Sequence, residues 1–320
     1  MKMSVKISLI VAASLVVLGV AIFVIAMSIN GWDFKKLSGG GLESKTYEEI
    51  GEFSNISVTT TIEDIEFMPF DGENCKVVCT ERNKVSYSVA VANQTLEIKR
   101  QDDRAWYEKL FNFGDEKMIV YLPNAEYSAL SIVCSTGDIA IPKDFSFESI
   151  DVKLSTGDIE CFASAKNLIK ITASTGNIDI ENLTVGALDL SVTTGKISIQ
   201  SVNCNGEVKI GVSTGDTELS SLTCTDLISS GNTGDIELDN VIVSGEINIE
   251  RSTGDVEFKR CDAAKIVVET DTGDVKGSLL SNKIFFVQTD TGRISVPHST
   301  SGGECDVTTD TGNVIFEIVS

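Results

Sequence analysis

From Ser135 onward, a Thr-Gly pair returns every 19 or 20 residues of a 320-residue chain. The glycines are Gly137, Gly157, Gly176, Gly195, Gly215, Gly234, Gly254, Gly273, Gly292 and Gly312. A short period kept through ten copies is the signature of a solenoid, in which each repeat buries its apolar face only against its neighbours.

Within the repeat, apolar residues alternate. The second residue after the glycine is Ile139, Ile159, Ile178, Ile197, Ile236, Val256, Val275, Ile294 or Val314, with Thr217 the exception. Two further on stand Ile141, Cys161, Ile180, Ile199, Leu219, Leu238, Phe258, Val296 and Phe316, with Gly277 the outlier. Period two means one face in and one face out, as in a half-buried strand. A second pair (Leu183 and Val185) and a third (Leu188 and Leu190) complete each repeat. Three short inward-facing strands per turn predict an all-β fold, a single-stranded parallel β-helix of about ten coils. Strands about 4.8 Å apart make that a rod of roughly 45 Å. The crossover rule favours right-handed winding. Each Thr-Gly pair supplies a tight bend that glycine takes cheaply, and Pro142 and Pro297 mark the next corner.

Residues 1–29 read as a signal-anchor or transmembrane helix. Ile7 to Ile29 carries no charge and follows Lys2 and Lys6, and about 20 apolar residues cross a bilayer core. A signal peptide cut near Ala26-Met27-Ser28 is the alternative, but its apolar core would be shorter, about 7–15 residues. Residues 30–46, with Ser38-Gly39-Gly40-Gly41, read as a flexible tether. Residues 47–134 read as degenerate first coils and a cap, and residues 135–320 as the regular repeats. Thr61 to Phe67 echoes Ser155 to Cys161 without the glycine, Asn93-Gln94 turns a hairpin, and Met118 to Leu122 is a strand.

These features resemble the DUF4097 family of β-strand-repeat proteins, whose members carry an adhesin label. The resemblance rests on the apolar span, the Leu122-Pro123 strand end and the repeated Ser/Thr-Thr-Gly-Asp-Ile pattern, and covers about residues 47–320. It implies a bacterial envelope location and supplies no catalytic motif.

A net charge of −21 excludes nucleic-acid binding through phosphate contacts. A single histidine, His298, excludes a multi-histidine metal site. Asp138, Asp158, Asp216, Asp235, Asp255 and Asp274 each follow a repeat glycine. A calcium ladder would relieve their mutual repulsion. Turn capping by the carboxylates is the preferred reading, because Asn177, Lys196, Arg293 and Asn313 share the position. Asp271-Thr272-Gly273, Asp290-Thr291-Gly292 and Asp310-Thr311-Gly312 spell the aspartic-protease triplet. Catalysis needs two such carboxylates converging about 3 Å apart, whereas these are copies of one turn. Cys161, Cys204, Cys224, Cys261 and Cys305 fall at inward phases as small apolar fillers. Cys204 and Cys224 share a phase in adjacent coils, within reach of a disulfide but with poor torsion for one. No cofactor or metal is expected.

The sequence therefore points to a non-enzymatic, membrane-anchored, extracytoplasmic β-solenoid for surface binding, an adhesin or envelope-sensing component. A structural spacer or assembly scaffold is the alternative. The membrane is the partner of residues 7–29, and a cell-surface or envelope ligand that the sequence does not name is the partner of the rod. Trp106, Tyr107, Phe111 and Phe113 form the candidate contact region, with plugging the core's end as their other reading. Ile315, Phe316, Ile318 and Val319 are expected to leave an open strand edge, a hazard that suggests self-association there.

Overall fold

The computed structural model describes residues 3–29, 31–32, 42–105 and 116–319. Met3–Ile29 is a helix, and the regular structure of the remaining described residues is strand, in one continuous solenoid of about ten turns. Within the helix, Ile10–Ile29 is long and apolar enough to cross a membrane.

Each regular coil has a short strand after its glycine, such as Ile178–Glu181, and a longer one returning to the next Thr-Gly pair, such as Thr184–Thr194. Successive coils pair in parallel and in register. Ile159 stands between Ile139 and Ile178, and Ile171 between Val152 and Leu190. The three expected strand positions are present, fused in pairs. The second and third run together in Ser164–Thr175, and the first and second in Ile197–Cys204. Inward residues form columns through the rod. Ile139, Ile159, Ile178, Ile197, Ile236, Val256, Val275 and Val314 are each at most 1% exposed.

Two corners set the coil. At the first, Gly215 has φ +132° and would place a Cβ 2.0 Å from the carbonyl oxygen of Gly195. Gly312 and Gly292 lack the left-handed φ, yet their Cβ atoms would still lie 1.9 Å from the neighbouring glycine's oxygen. Glycine is thus required less by the bend than by backbones stacked too closely for a side chain. At the second corner, Asn182, Ser201, Ser221, Asn240 and Arg260 have φ between 51° and 55°. Asn and Ser tolerate that region by local hydrogen bonding better than most residues.

The ends depart from chain order. At the start, strand Asn55–Thr59 lies between Glu126–Thr136 and Thr95–Asp102, and Glu63–Phe70 lies between Ile139–Ile141 and Glu116–Pro123. Strands Thr95–Asp102 and Glu116–Pro123 therefore lie outside Asn55–Thr59 and Glu63–Phe70, although they are later in sequence. Antiparallel strands cover them. Val85–Ala92 pairs with Thr95–Asp102 through the expected Asn93-Gln94 hairpin, and Cys75–Glu81 pairs with Glu116–Pro123. Glu43–Ile50 pairs with Cys75–Glu81, so residues 43–46, expected in the tether, already belong to a paired strand.

The other end is interleaved as well. Gly303–Thr311 lies between Lys265–Thr272 and Lys283–Thr291, and Val314–Ile318 between Val275–Leu279 and Ile294–Ser295. The expectation of an open edge around Phe316 is corrected in part: Ile294–Ser295 pairs with Val314 and Ile315, whereas from Phe316 to Ile318 the strand pairs, among the described residues, only with Val275–Leu279. The Phe316 ring is 5% exposed, packed against Phe258 and Phe285 at 5.7 and 5.5 Å. The last strands of the sequence fill a gap left for them, and the coil of Gly292 is the outermost.

Gly215→Ala adds both a left-handed φ and a backbone clash, so it should cost about 2–5 kcal/mol. Thermal unfolding followed by circular dichroism measures it, and an unchanged midpoint would contradict the stacking argument.

Candidate functional site

The aspartates after the glycines are positioned by the first corner and act on one another's coils. Asp138 Oδ1 accepts the backbone N–H of Asp158 at 2.8 Å, and Asp158 Oδ1 that of Asn177 at 2.7 Å. Asn177 Oδ1 then accepts from Lys196 at 3.1 Å. Asp216, Asp235, Asp255 and Asp274 continue the run to Asp235, Asp255, Asp274 and Asn313 at 2.7–2.9 Å. Asn313 Oδ1 ends it on Arg293 at 3.0 Å. The capping reading is therefore right in kind, but each side chain caps the following coil and not its own turn. The exceptions become intelligible. Arg293 lies in the outermost coil and has no further N–H to accept, whereas Lys196 offers no acceptor and interrupts the ladder.

Outside this ladder, the face that follows the glycines is acidic. Glu160, Asp179, Ser198, Glu218, Glu237, Glu257 and Lys276 occupy one in-register column. Lys196 pairs with Glu218 at 2.6 Å, Lys276 with Glu257 at 3.7 Å, and Lys259 bridges Glu237 and Glu257. Toward the N-terminal end the charge is less balanced. Partial burial, then neighbouring Glu160, pushes the Asp179 carboxyl above its ordinary range, with Lys196 opposing. Among the described residues no group of three or more His, Cys, Asp or Glu could hold a metal ion.

The face that precedes the glycines carries a recess of about 370 Å³. It exists because Ser191, Gly211 and Ser230 follow one another in register, while Glu250 and Glu269 continue the column as its rim. Beneath it lies Arg251, 2% exposed, at the phase held by Val192, Val212 and Gly231 in the preceding coils and by Thr270 and Thr309 in the following ones. Its Nη1 donates to Val212 O and its Nη2 to Thr217 Oγ1, both at 3.0 Å. A Cβ on Gly231 would lie 1.6 Å from that Nη1. Thr217, Gly231 and Arg251 are thus one matched set, and Thr217's break in the apolar pattern has its reason in a residue of a later coil. Burial lowers the pKa of Arg251, while Asp216 and Asp235 of the ladder oppose that shift. The cation therefore lies where the aspartate run is uninterrupted.

A second charged cluster closes the N-terminal end of the core. Glu63 and Glu116 are fully buried. Arg100 reaches Glu63 at 2.6 Å and Glu116 at 3.0 Å, and Arg82 lies 2.7 Å from Glu116. Glu63 also accepts from Tyr87 Oη at 2.5 Å and from the N–H groups of Thr61 and Ile62. Arg104 is bidentate on Asp102 and holds its carboxyl well below the usual range. Guanidinium and carboxylate groups are balanced here, and Glu63 has hydrogen bonds on its remaining lone pairs, which is what makes burial of such ions tolerable. Sequence reasoning missed this cluster. Its members are spread over more than fifty positions, and the one available signal was charge (Glu63, Arg82, Glu116) at inward phases.

The other sequence candidates separate. Trp106, Tyr107, Phe111 and Phe113 lie outside the described residues. Asp271, Asp290 and Asp310 stand exposed in successive coils without converging on a cleft, and His298 is exposed beyond Ser295. All eight cysteines are buried free thiols, Cys204 and Cys224 included. Burial pushes Cys161, Cys224 and Cys305 up to about 12, which keeps them protonated and unreactive.

Fold and surface together define a β-solenoid preceded by an apolar helix of membrane-spanning length. The sequence matches the Toastrack DUF4097 family over residues 53–317, and the chain belongs to that family. Similar solved structures include a proposed adhesin from Parabacteroides distasonis, 13% identical, with 84% of this chain and 98% of that one covered at a TM-score of 0.48. A proposed lipid-binding protein from the same species is 16% identical, with 74% and 94% covered at 0.47. A proposed adhesin from Parabacteroides merdae is 14% identical, with 74% and 96% covered at 0.45. No curated protein matches the sequence.

Two expectations follow. Arg251→Ala strands Thr217 and opens a cavity beside Gly231, so it should cost about 3–5 kcal/mol, while Thr217→Val with Arg251→Val, keeping Gly231 because a Cβ there would lie 2.0 Å from Val212 O, should cost clearly less; denaturant midpoints compare them. Asp235→Ala should cost about 1 kcal/mol and Asp235→Asn almost nothing, with millimolar calcium shifting neither melting temperature. A calcium-dependent rise that Asn abolishes would favour a metal ladder.

Proposed function

We propose that this chain is a membrane-anchored, extracytoplasmic rod that works by non-enzymatic surface binding, as an adhesin or envelope-sensing module. One observation carries the reading: coils of nearly constant length present outward side chains in straight, in-register columns along the rod. Such a surface offers the same contacts repeatedly at about 4.8 Å intervals. That suits extended or repetitive partners, where many weak contacts add. Membership of the Toastrack family and the Ile10–Ile29 segment agree with it.

The test is binding of the full chain, reconstituted in nanodiscs, to envelope fragments of its own organism and to foreign cells. Saturable binding to one of them is expected. Replacing Trp106, Tyr107, Phe111 and Phe113 together by Ser should weaken it about tenfold or more if that segment makes the contact. Binding no better than to empty nanodiscs would leave the rod a spacer.

A further inference from the structure

The two ends of the rod are finished differently. The N-terminal end is covered by antiparallel strands Cys75–Glu81 and Val85–Ala92 and sealed by the Glu63, Arg100 and Glu116 ion network. At the other end, strand Lys283–Thr291 pairs with Gly303–Thr311 on one side and, among the described residues, with nothing on the other. Ile294–Ser295 likewise pairs only with Val314–Ile318. Among the described residues the outer edge of both strands has no strand partner, and solenoid ends are ordinarily covered.

The side chains there match that openness. Ile294 belongs to the column that is elsewhere at most 1% exposed, yet it is 46% exposed because no coil covers it. Phe285 and Val287 are only partly buried, and Phe286 projects outward at 55% exposure. Leu280 and Ile315, also exposed, lie in the same final coils. From Ile284 to Thr289 the edge carries no charge, in a chain whose net charge is −21.

We propose that this end binds the same end of a second copy, with the two Lys283–Thr291 edges pairing antiparallel about a twofold axis. Stacking the open end on the N-terminal end of another rod is disfavoured, because that end already carries its antiparallel cover and sealed charges. Two acidic rods repel along their flanks, so a self-complementary contact needs a neutral patch, and the Ile284 to Thr289 edge provides one. Antiparallel pairing satisfies the free backbone groups of both copies, and Phe286, Ile294 and the half-covered core end become buried together. Glu43–Ile50, the first described strand after the helix, lies on the covered end, so the open end is the one farther along the rod from it. Pairing there joins rods anchored in opposing membranes. This rests on the anchored, surface-binding reading above and names its partner as the protein itself.

The experiment places the full chain in two populations of phosphatidylcholine vesicles carrying donor and acceptor dyes. Co-flotation with the vesicles is measured first. Clustering is expected only when both populations carry protein. Phe286→Lys with Ile294→Lys should reduce it about tenfold or more, while Val91→Lys at the covered end should leave it unchanged. Protein that floats but leaves vesicles dispersed overturns the pairing and leaves the anchor standing, as does clustering that the double lysine variant retains. Protein that does not float overturns the anchor. The pairing is then read by sedimentation of the wild-type and double-lysine chains in detergent, where a wild-type monomer overturns it.

Discussion

The closest constraint in this fold is the approach of one backbone turn to the next at the glycine corner. A Cβ at Gly176 would sit 1.9 Å from Gly157 O, and the same holds, within a few tenths of an ångström, up the whole column. The Gly157 N–H donates to Thr175 O at 3.0 Å, so the close approach is also hydrogen-bonded. Everything else depends on that contact: with the corners aligned in register, the inward residues stack like on like. The aspartates that follow can then reach the next coil's N–H. Register in a sheet is ordinarily set by side-chain pattern; here the absence of side chains at one corner sets it first.

Register brings a cost and a use. Identical positions recur at each coil, so like charges stack, and acidic residues dominate one face. The ladder turns part of that liability into structure, because each Asp exchanges water for a backbone N–H. Asn serves equally at Asn177 and Asn313. Arg251 shows another response, a cation buried near Asp216 and Asp235 and accommodated by Gly231. Lysines in and beside the acidic column, Lys196, Lys259 and Lys276, pair with its exposed glutamates. Such exposed pairs are each worth little, so they balance charge more than they hold the coils together.

Function follows from the same geometry. A rod made of uniform coils concentrates its individuality at its ends, and these ends are unlike. One is sealed by buried ion pairs and antiparallel strands. The other stops with its core half covered, although the last strands of the chain were available to cover it. They are instead inserted one coil earlier, between Lys265–Thr272 and Lys283–Thr291.

The sequence by itself determined the repeat, the glycine column, the inward phases and the Asn93-Gln94 hairpin, because these depend on neighbours one or two residues away and on a constant period. It also determined the apolar N-terminal span, which is a matter of composition. Only the tertiary structure decided the order of coils at the ends, since periodicity is the same whether a coil stacks on its predecessor or is displaced by a later one. Only it explained the two breaks in the pattern. Thr217 is polar because Arg251 donates to it, and Gly277 lacks a side chain because it lies between Phe258 and Phe316, with Phe258 O only 2.0 Å from where its Cβ would be. Each depends on partners in other coils, and a one-dimensional pattern records which residues are exceptional without recording what stands above and below them.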